Sequence, residues 1–284
     1  MKAGIEVTGL AVYPVKSMKG IALDKAVLTP QGLEHDRRFM VVRSDGSFVT
    51  QRDTPLMALV HTALEPGGVV LSRDGCGQVF VPFDAEGGRA IRTKVWKDEC
   101  KTSDCGETVS RWLTEALESE ETLHLVAMAA GFERPQGKPH KLGEDTRTLF
   151  ADAAPFLVAG EESLAQLNRD LLAHGHETVP MNRFRPNIVI RGMEAFAEHS
   201  ESTLACDAYA LQLRYPCERC VVTTIDQDTA NRHPGWEPYK TLRNINPVPG
   251  IEKRAPAFGQ NATLAAGSCA TIRVGDRLEV ASKG

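Results

Sequence analysis

The 284-residue chain carries 33 Lys and Arg against 37 Asp and Glu, a formal charge of −4, with 42% apolar and 25% charged residues. Such a composition suits a globular protein with room for one large core or two smaller ones. It speaks against a nucleic-acid binder, which would show a basic surplus or block, and no window approaches the roughly 18 apolar residues of a membrane helix.

The first hundred residues read as short strands broken by turns. Arg38–Arg43, Gly68–Ser72 and Gln78–Val81 are β-rich, and Ser44-Asp45-Gly46, Pro66-Gly67-Gly68, Asp74-Gly75 and Glu86-Gly87-Gly88 are turn signals. This spacing predicts a barrel or folded sheet. At Asp104 and Glu107 the chain takes the spacing of a capping box. Val109, Trp112, Leu113, Ala116 and Leu117 then follow at one-sided helical intervals.

The polar stretch from Gly131 to Gly143 reads as a mobile loop near a domain junction. Phe156–Ala159 is a short buried strand, and Leu164, Leu167, Leu171 and Leu172 stripe a second helix that stops before Gly175. Strands return at Asn187–Arg191, Tyr209–Arg214, Cys220–Ile225 and Thr271–Val280. In the last, Ile272, Val274, Leu278 and Val280 alternate with polar residues as in a half-buried strand. The fold class is mainly β (α+β) with a few helices, divided as 1–120 and 121–284.

Met1 to Val15 lacks a basic region followed by an apolar run, so no signal peptide is read there. Seven cysteines, an odd number, fit free thiols in a reducing cytoplasm, with Cys76, Cys206 and Cys269 read as core residues.

Three segments could carry chemistry. In Pro216-Cys217-Glu218-Arg219-Cys220, a turn running into a strand would place Cys220 at a sheet end facing a cavity, with Arg219 favouring its thiolate. Zinc bound with Cys100 and Cys105, a redox disulfide and two inert core thiols are the alternatives. In Asn182-Arg183-Phe184-Arg185-Pro186-Asn187, Arg185 offers a fork for phosphate and Asn187 a donor and acceptor for a heterocycle edge. A solvated strand start explains the same residues. In Tyr13-Pro14-Val15-Lys16-Ser17-Met18-Lys19-Gly20, Lys16 and Ser17 could hold phosphate oxygens, although the segment lacks the glycine pattern of a Walker loop and also reads as a hairpin turn.

Together with Gly32-Leu33, Asp36-Arg37-Arg38, Phe150 to Pro155, Thr223-Thr224 and Thr271 to Asp276, these segments resemble, in order and over nearly the whole chain, a MOSC-domain protein with its N-terminal β-barrel partner. The amidoxime-reducing components and their bacterial counterparts are the functional relatives this resemblance suggests. It implies an N-terminal β-barrel-like domain followed by a MOSC β-barrel domain, with a molybdenum cofactor held between them. Cys220 would be the metal ligand and catalytic residue. Lys16, Ser17, Arg37, Asp152, Arg185, Asn187 and Arg219 would surround the pterin and its phosphate.

The implied activity is two-electron oxygen removal from small N-hydroxylated substrates: hydroxylamines, amidoximes or N-hydroxylated purine bases. The chain is expected to begin at its first strand without a targeting or membrane-anchoring extension. Only Cys269 follows Cys220, so no ferredoxin domain is expected at the C-terminal end. The electron donor would then be a separate flavoprotein reductase or ferredoxin. A carrier or delivery module for the cofactor or its sulfur, without reductase turnover, is the alternative.

Overall fold

The computed structural model describes residues 4–85, 88–134, 137–200, 202–250 and 255–281. Ile5–Val12 alternates buried and partly exposed residues until a bulge between Val7 and Gly9. The bulge bends the strand, as an extra residue in one strand of an antiparallel pair does. Ile5 and Glu6 pair with Arg277–Ala281, while Leu10 to Val12 pair with Ile21–Leu23. On its other edge the strand pairs with Ile188–Arg191.

That last pairing closes a seven-stranded barrel. Around it run Ile188–Arg191, Phe156–Gly160, Ala257–Ala266, Ala210–Glu218, Thr203–Ala205, Arg277–Ala281 and Ile5–Val12. Closure leaves few free edges, and the interior is filled by Val7, Leu28, Phe156, Ile188, Leu211 and Leu278 among others. The barrel's parallel pair, Phe156–Gly160 with Ile188–Arg191, is joined through the helix Glu161–Ala173, as a parallel connection requires.

Beside the barrel lies a four-stranded sheet in the order Phe39–Arg43, Leu123–Met128, Asp98–Asp104, Ala90–Val95. A meander of His61–Glu65, Gly68–Arg73 and Gly77–Pro82 packs nearby. The helix Glu107–Ala116 buries Val109, Trp112 and Leu113 against Phe39, Val41, Val69, Leu71 and Leu125. The mainly β character expected from the sequence is present. Ile5–Val12 belongs to the barrel and Leu123–Met128 to the four-stranded sheet, so strand pairing crosses the division drawn at residue 120. Among the described residues no helix is long and apolar enough to cross a membrane.

Several local expectations are corrected. Cys220–Ile225 is no strand: Val221–Thr224 forms a 3-10 turn. The Thr223 and Thr224 hydroxyls donate to the Cys220 and Val221 carbonyls, and this local bonding prevails over the β preference of branched residues. Thr271–Val280 breaks into Thr271–Arg273 and Arg277–Ala281 about Gly275, whose φ is +95°. Ile272 and Leu278 are therefore buried, whereas Val274 and Val280 are exposed.

The capping box does not form. Gly106 is the N-cap of the helix, and the Asp104 carboxylate accepts the Gly106 amide and His124 Nδ1. Leu172 is exposed although Leu167 and Leu171 are buried. The 131–143 stretch contains the short helix Pro139–Leu142, and Arg134 is anchored there by Asp98 and by the Leu149 and Ala151 carbonyls. Cys269 is exposed rather than core, and Cys76 and Cys206 are only partly buried. In the expected turn at Glu86-Gly87-Gly88, Glu86 and Gly87 lie outside the described residues.

Candidate functional site

After Val12 the chain leaves the barrel, and the Lys16 amide donates to the Phe39 carbonyl of the neighbouring sheet. The Lys16 ammonium is buried and donates to the Phe150 carbonyl at 2.9 Å and Asp152 Oδ1 at 2.6 Å. Crowding by its neighbours would push the Asp152 carboxyl up, although 66% of the side chain remains exposed. The charge and hydrogen bond of Lys16, with Trp96 and Arg52, outweigh it and hold the pKa at about 2. Lys16 itself is buried, which pulls its pKa down against the opposing charge of Asp152.

Tyr13 gathers two guanidinium groups. Arg37 lies 4.2 Å and Arg185 4.3 Å from its ring centroid, a cation–π arrangement on one aromatic body. Arg37 pairs with the buried Asp36 and donates to the Arg185 carbonyl at 3.2 Å. Arg185 Nη2 is buried with no hydrogen-bond partner. Its pKa is brought down to about 10, chiefly by burial, with Arg37 adding to the effect. A shielded donor beside a second cation is stabilised by an anion.

Ser17, Arg37 and Arg185 all have positive φ, of 68°, 46° and 54°. Left-handed backbone at a non-glycine residue costs on the order of 1–3 kcal/mol, and such conformations cluster at functional sites.

Asn187 faces the same cavity, but its side chain is largely committed to the barrel: Oδ1 accepts the Leu157 amide and Nδ2 donates to the Ala11 carbonyl, each at 3.2 Å. The hydrogen bonds of Arg219 go to residues other than Cys220. Its Nη1 lies 3.0 Å from Cys217 Sγ and its Nη2 donates to the Phe184 carbonyl at 2.8 Å. Arg219, just past the end of Ala210–Glu218, thus reaches back to the Cys217 sulfur. Cys220 follows, exposed, at the N-cap of the 3-10 turn.

All eight residues singled out from the sequence line one cavity of about 210 Å³: Lys16, Ser17, Arg37, Asp152, Arg185, Asn187, Arg219 and Cys220. Sequence reading missed Thr50, Arg52, Trp96 and Asn261 in its wall, none of which lies in a recognisable motif. A larger hollow of about 730 Å³ lies on the four-stranded sheet, lined by Phe48, Cys100 and Phe132. Its Lys94 and Glu99 pair with each other, and its Cys100 thiol is buried, so it lacks the exposed thiol that makes the smaller cavity chemically distinctive. Among the described residues no group of three or more His, Cys, Asp or Glu side chains is placed to hold a metal, so the zinc arrangement is not formed.

Residues 4–120 match the MOSC N-terminal beta barrel domain, and residues 145–279 match the MOSC domain. The human protein named mitochondrial amidoxime-reducing component 1 is 32% identical over 282 residues, covering 95% of this chain and 81% of its own. The chain belongs to the MOSC-domain family of amidoxime-reducing components. The Danio rerio protein of the same name is 30% identical over 266 residues, covering 91% of this chain and 80% of its own. This MOSC-domain chain is also similar to the YUAD protein of Bacillus subtilis, whose crystal structure matches over 99% of this chain and 98% of its own, at 11% identity and a TM-score of 0.39.

Proposed function

We propose that this protein is a molybdenum-cofactor-dependent reductase of small N-hydroxylated compounds. The observation that carries the proposal is the cavity itself, where an exposed Cys220 thiol shares a wall with the buried, unpartnered Arg185 Nη2. A soft sulfur donor for a metal and cationic donors for phosphate are what a metal carried on an anionic pterin requires. Three alanines, Ala151, Ala153 and Ala154, line the cavity beside Asp152 and leave room for a ring system. The residues present fit the group.

When bound, the cofactor supplies the two-electron couple that removes a hydroxyl oxygen: R–NHOH with two electrons and two protons gives R–NH2 and water. Cys220 contributes the thiolate ligand. Arg37 and Arg185 hold the phosphate end, and their approach on Tyr13 is offset when an anion sits between them and bulk water. Lys16 and Asp152 fix the 150–152 segment against the loop after the first strand. Asn187 and Arg219 shape the floor through the backbone carbonyls and amide they bind. The two electrons come from a separate donor protein, a flavoprotein reductase or a ferredoxin, and the reaction belongs in the cytoplasm.

Molybdenum analysis of the purified protein, with benzamidoxime turnover from an artificial donor, tests this. Metal retention and turnover should both be lost in Cys220→Ser. A fully active, metal-loaded Cys220→Ser protein overturns the assignment. Tight cofactor binding without turnover, with transfer to an apoenzyme, would instead mark a carrier.

A further inference from the structure

We infer that Trp96, fixed by Asp152 and Arg52, is the stacking wall that selects flat, conjugated substrates over small ones. The inference rests on the reductase reading above. Trp96 stands in the two-residue turn between Ala90–Val95 and Asp98–Asp104, with φ of 58°, while Lys97 is not among the positive-φ residues. A tight hairpin with positive φ at its first turn residue alone favours glycine there, because a side chain crowds the backbone. This turn instead carries the largest side chain available.

The indole is held from several directions. Its Nε1 donates to Asp152 Oδ1 at 3.0 Å. The Arg52 guanidinium lies 4.5 Å from the ring centroid, and Phe48 meets it nearly edge to face at 5.5 Å. Even so, Trp96 remains 48% exposed and lines the Cys220 cavity. A buried anchor would not need to remain so open. A solvent-facing aromatic would not need three fixed contacts in a strained turn.

What such a surface recognises follows from its physics. An indole partly covered by a guanidinium and rigidly positioned offers stacking area at little entropic cost. An amidoxime conjugated to a ring, or an N-hydroxylated purine, presents a matching flat face. Hydroxylamine presents none.

The test compares the metal-loaded wild type with Trp96→Gly, which the turn backbone accepts, and Trp96→Phe, which keeps a smaller ring. The ratio of kcat/KM for benzamidoxime to that for hydroxylamine should fall about tenfold in Trp96→Gly and recover in part in Trp96→Phe. Binding is read without turnover by titrating each protein with benzamidine. Saturable quenching of tryptophan fluorescence is expected in the wild type and its loss in Trp96→Phe, although Trp112 and Trp236 remain. An unchanged ratio, loss of molybdenum from Trp96→Gly, or quenching that persists in Trp96→Phe overturns the inference. If benzamidine quenches Trp96 while the wild type reduces neither compound, the reductase reading fails and the stacking wall stands.

Discussion

Gln51 and Gln227, 176 residues apart, exchange two amide hydrogen bonds of 3.0 Å in a fully reciprocal pair. Gln51 also donates to the Ser17 carbonyl at 2.8 Å, and Gln227 to the Ile225 carbonyl at 3.0 Å. The pair thus ties the loop bearing Lys16 and Ser17 to the segment following Cys220. Both side chains are buried, so each side-chain oxygen depends on the other glutamine for its donor.

Gln51→Leu should therefore cost about 1–3 kcal/mol in urea unfolding, since it leaves the buried Gln227 Oε1 without the donor it has in Gln51. Gln227→Leu should cost a similar amount, and the double variant distinctly less than the sum of the two. Strict additivity would show that the pair is not the coupling element.

Asp152 gives a pH signature. Its folded pKa of about 2 lies below the ordinary aspartate value of about 3.9, so its contribution to stability is full above that ordinary value and is lost as pH falls through about 2. The difference in urea midpoint between wild type and Asp152→Asn should be constant from pH 7 to about pH 5, then close between about pH 4 and pH 2. A difference that grows as pH falls reverses the sign and removes the Lys16–Asp152 pair as its cause.

Much of this site was legible because its residues come in runs. Lys16-Ser17, Arg185-Pro186-Asn187 and Arg219-Cys220 each lie just before or just after a strand, and each run contributes to the cavity wall. Trp96 and Gln51 were illegible for the opposite reason: their partners Asp152 and Gln227 are distant in sequence and share no motif with them. The same limit appears in the fold. Local patterning found the Glu161–Ala173 helix but mistook Val221 to Thr224 for a strand, because propensity does not see a hydroxyl bonding back to a carbonyl three residues earlier. Barrel closure between Ile5–Val12 and Ile188–Arg191 is a relation between distant segments that local patterning does not encode.

Arg185→Lys keeps the positive charge but removes the planar fork and its stacking on Tyr13. Molybdenum content after purification should fall by about tenfold, a loss typical of altered groups around a bound metal group. Thermal stability should change little, because Arg185 Nη2 makes no hydrogen bond within the protein. Equal cofactor retention in Arg185→Lys would mean that charge alone suffices at this position.

The two cysteines of the 216–220 segment should behave oppositely. Cys217 Sγ is partly shielded and sits 3.0 Å from Arg219 Nη1, whereas Cys220 is exposed in the cavity. In protein stripped of cofactor, iodoacetamide should therefore alkylate Cys220 first, as peptide mass spectrometry would register. Bound cofactor should protect that same thiol. Cys217→Ser should keep most of the molybdenum, because a hydroxyl can still accept from Arg219, while Cys220→Ser should lose it. If instead Cys217→Ser empties the protein and Cys220→Ser does not, the metal ligand has been assigned to the wrong sulfur, and Arg219 is then the group that poises the thiolate.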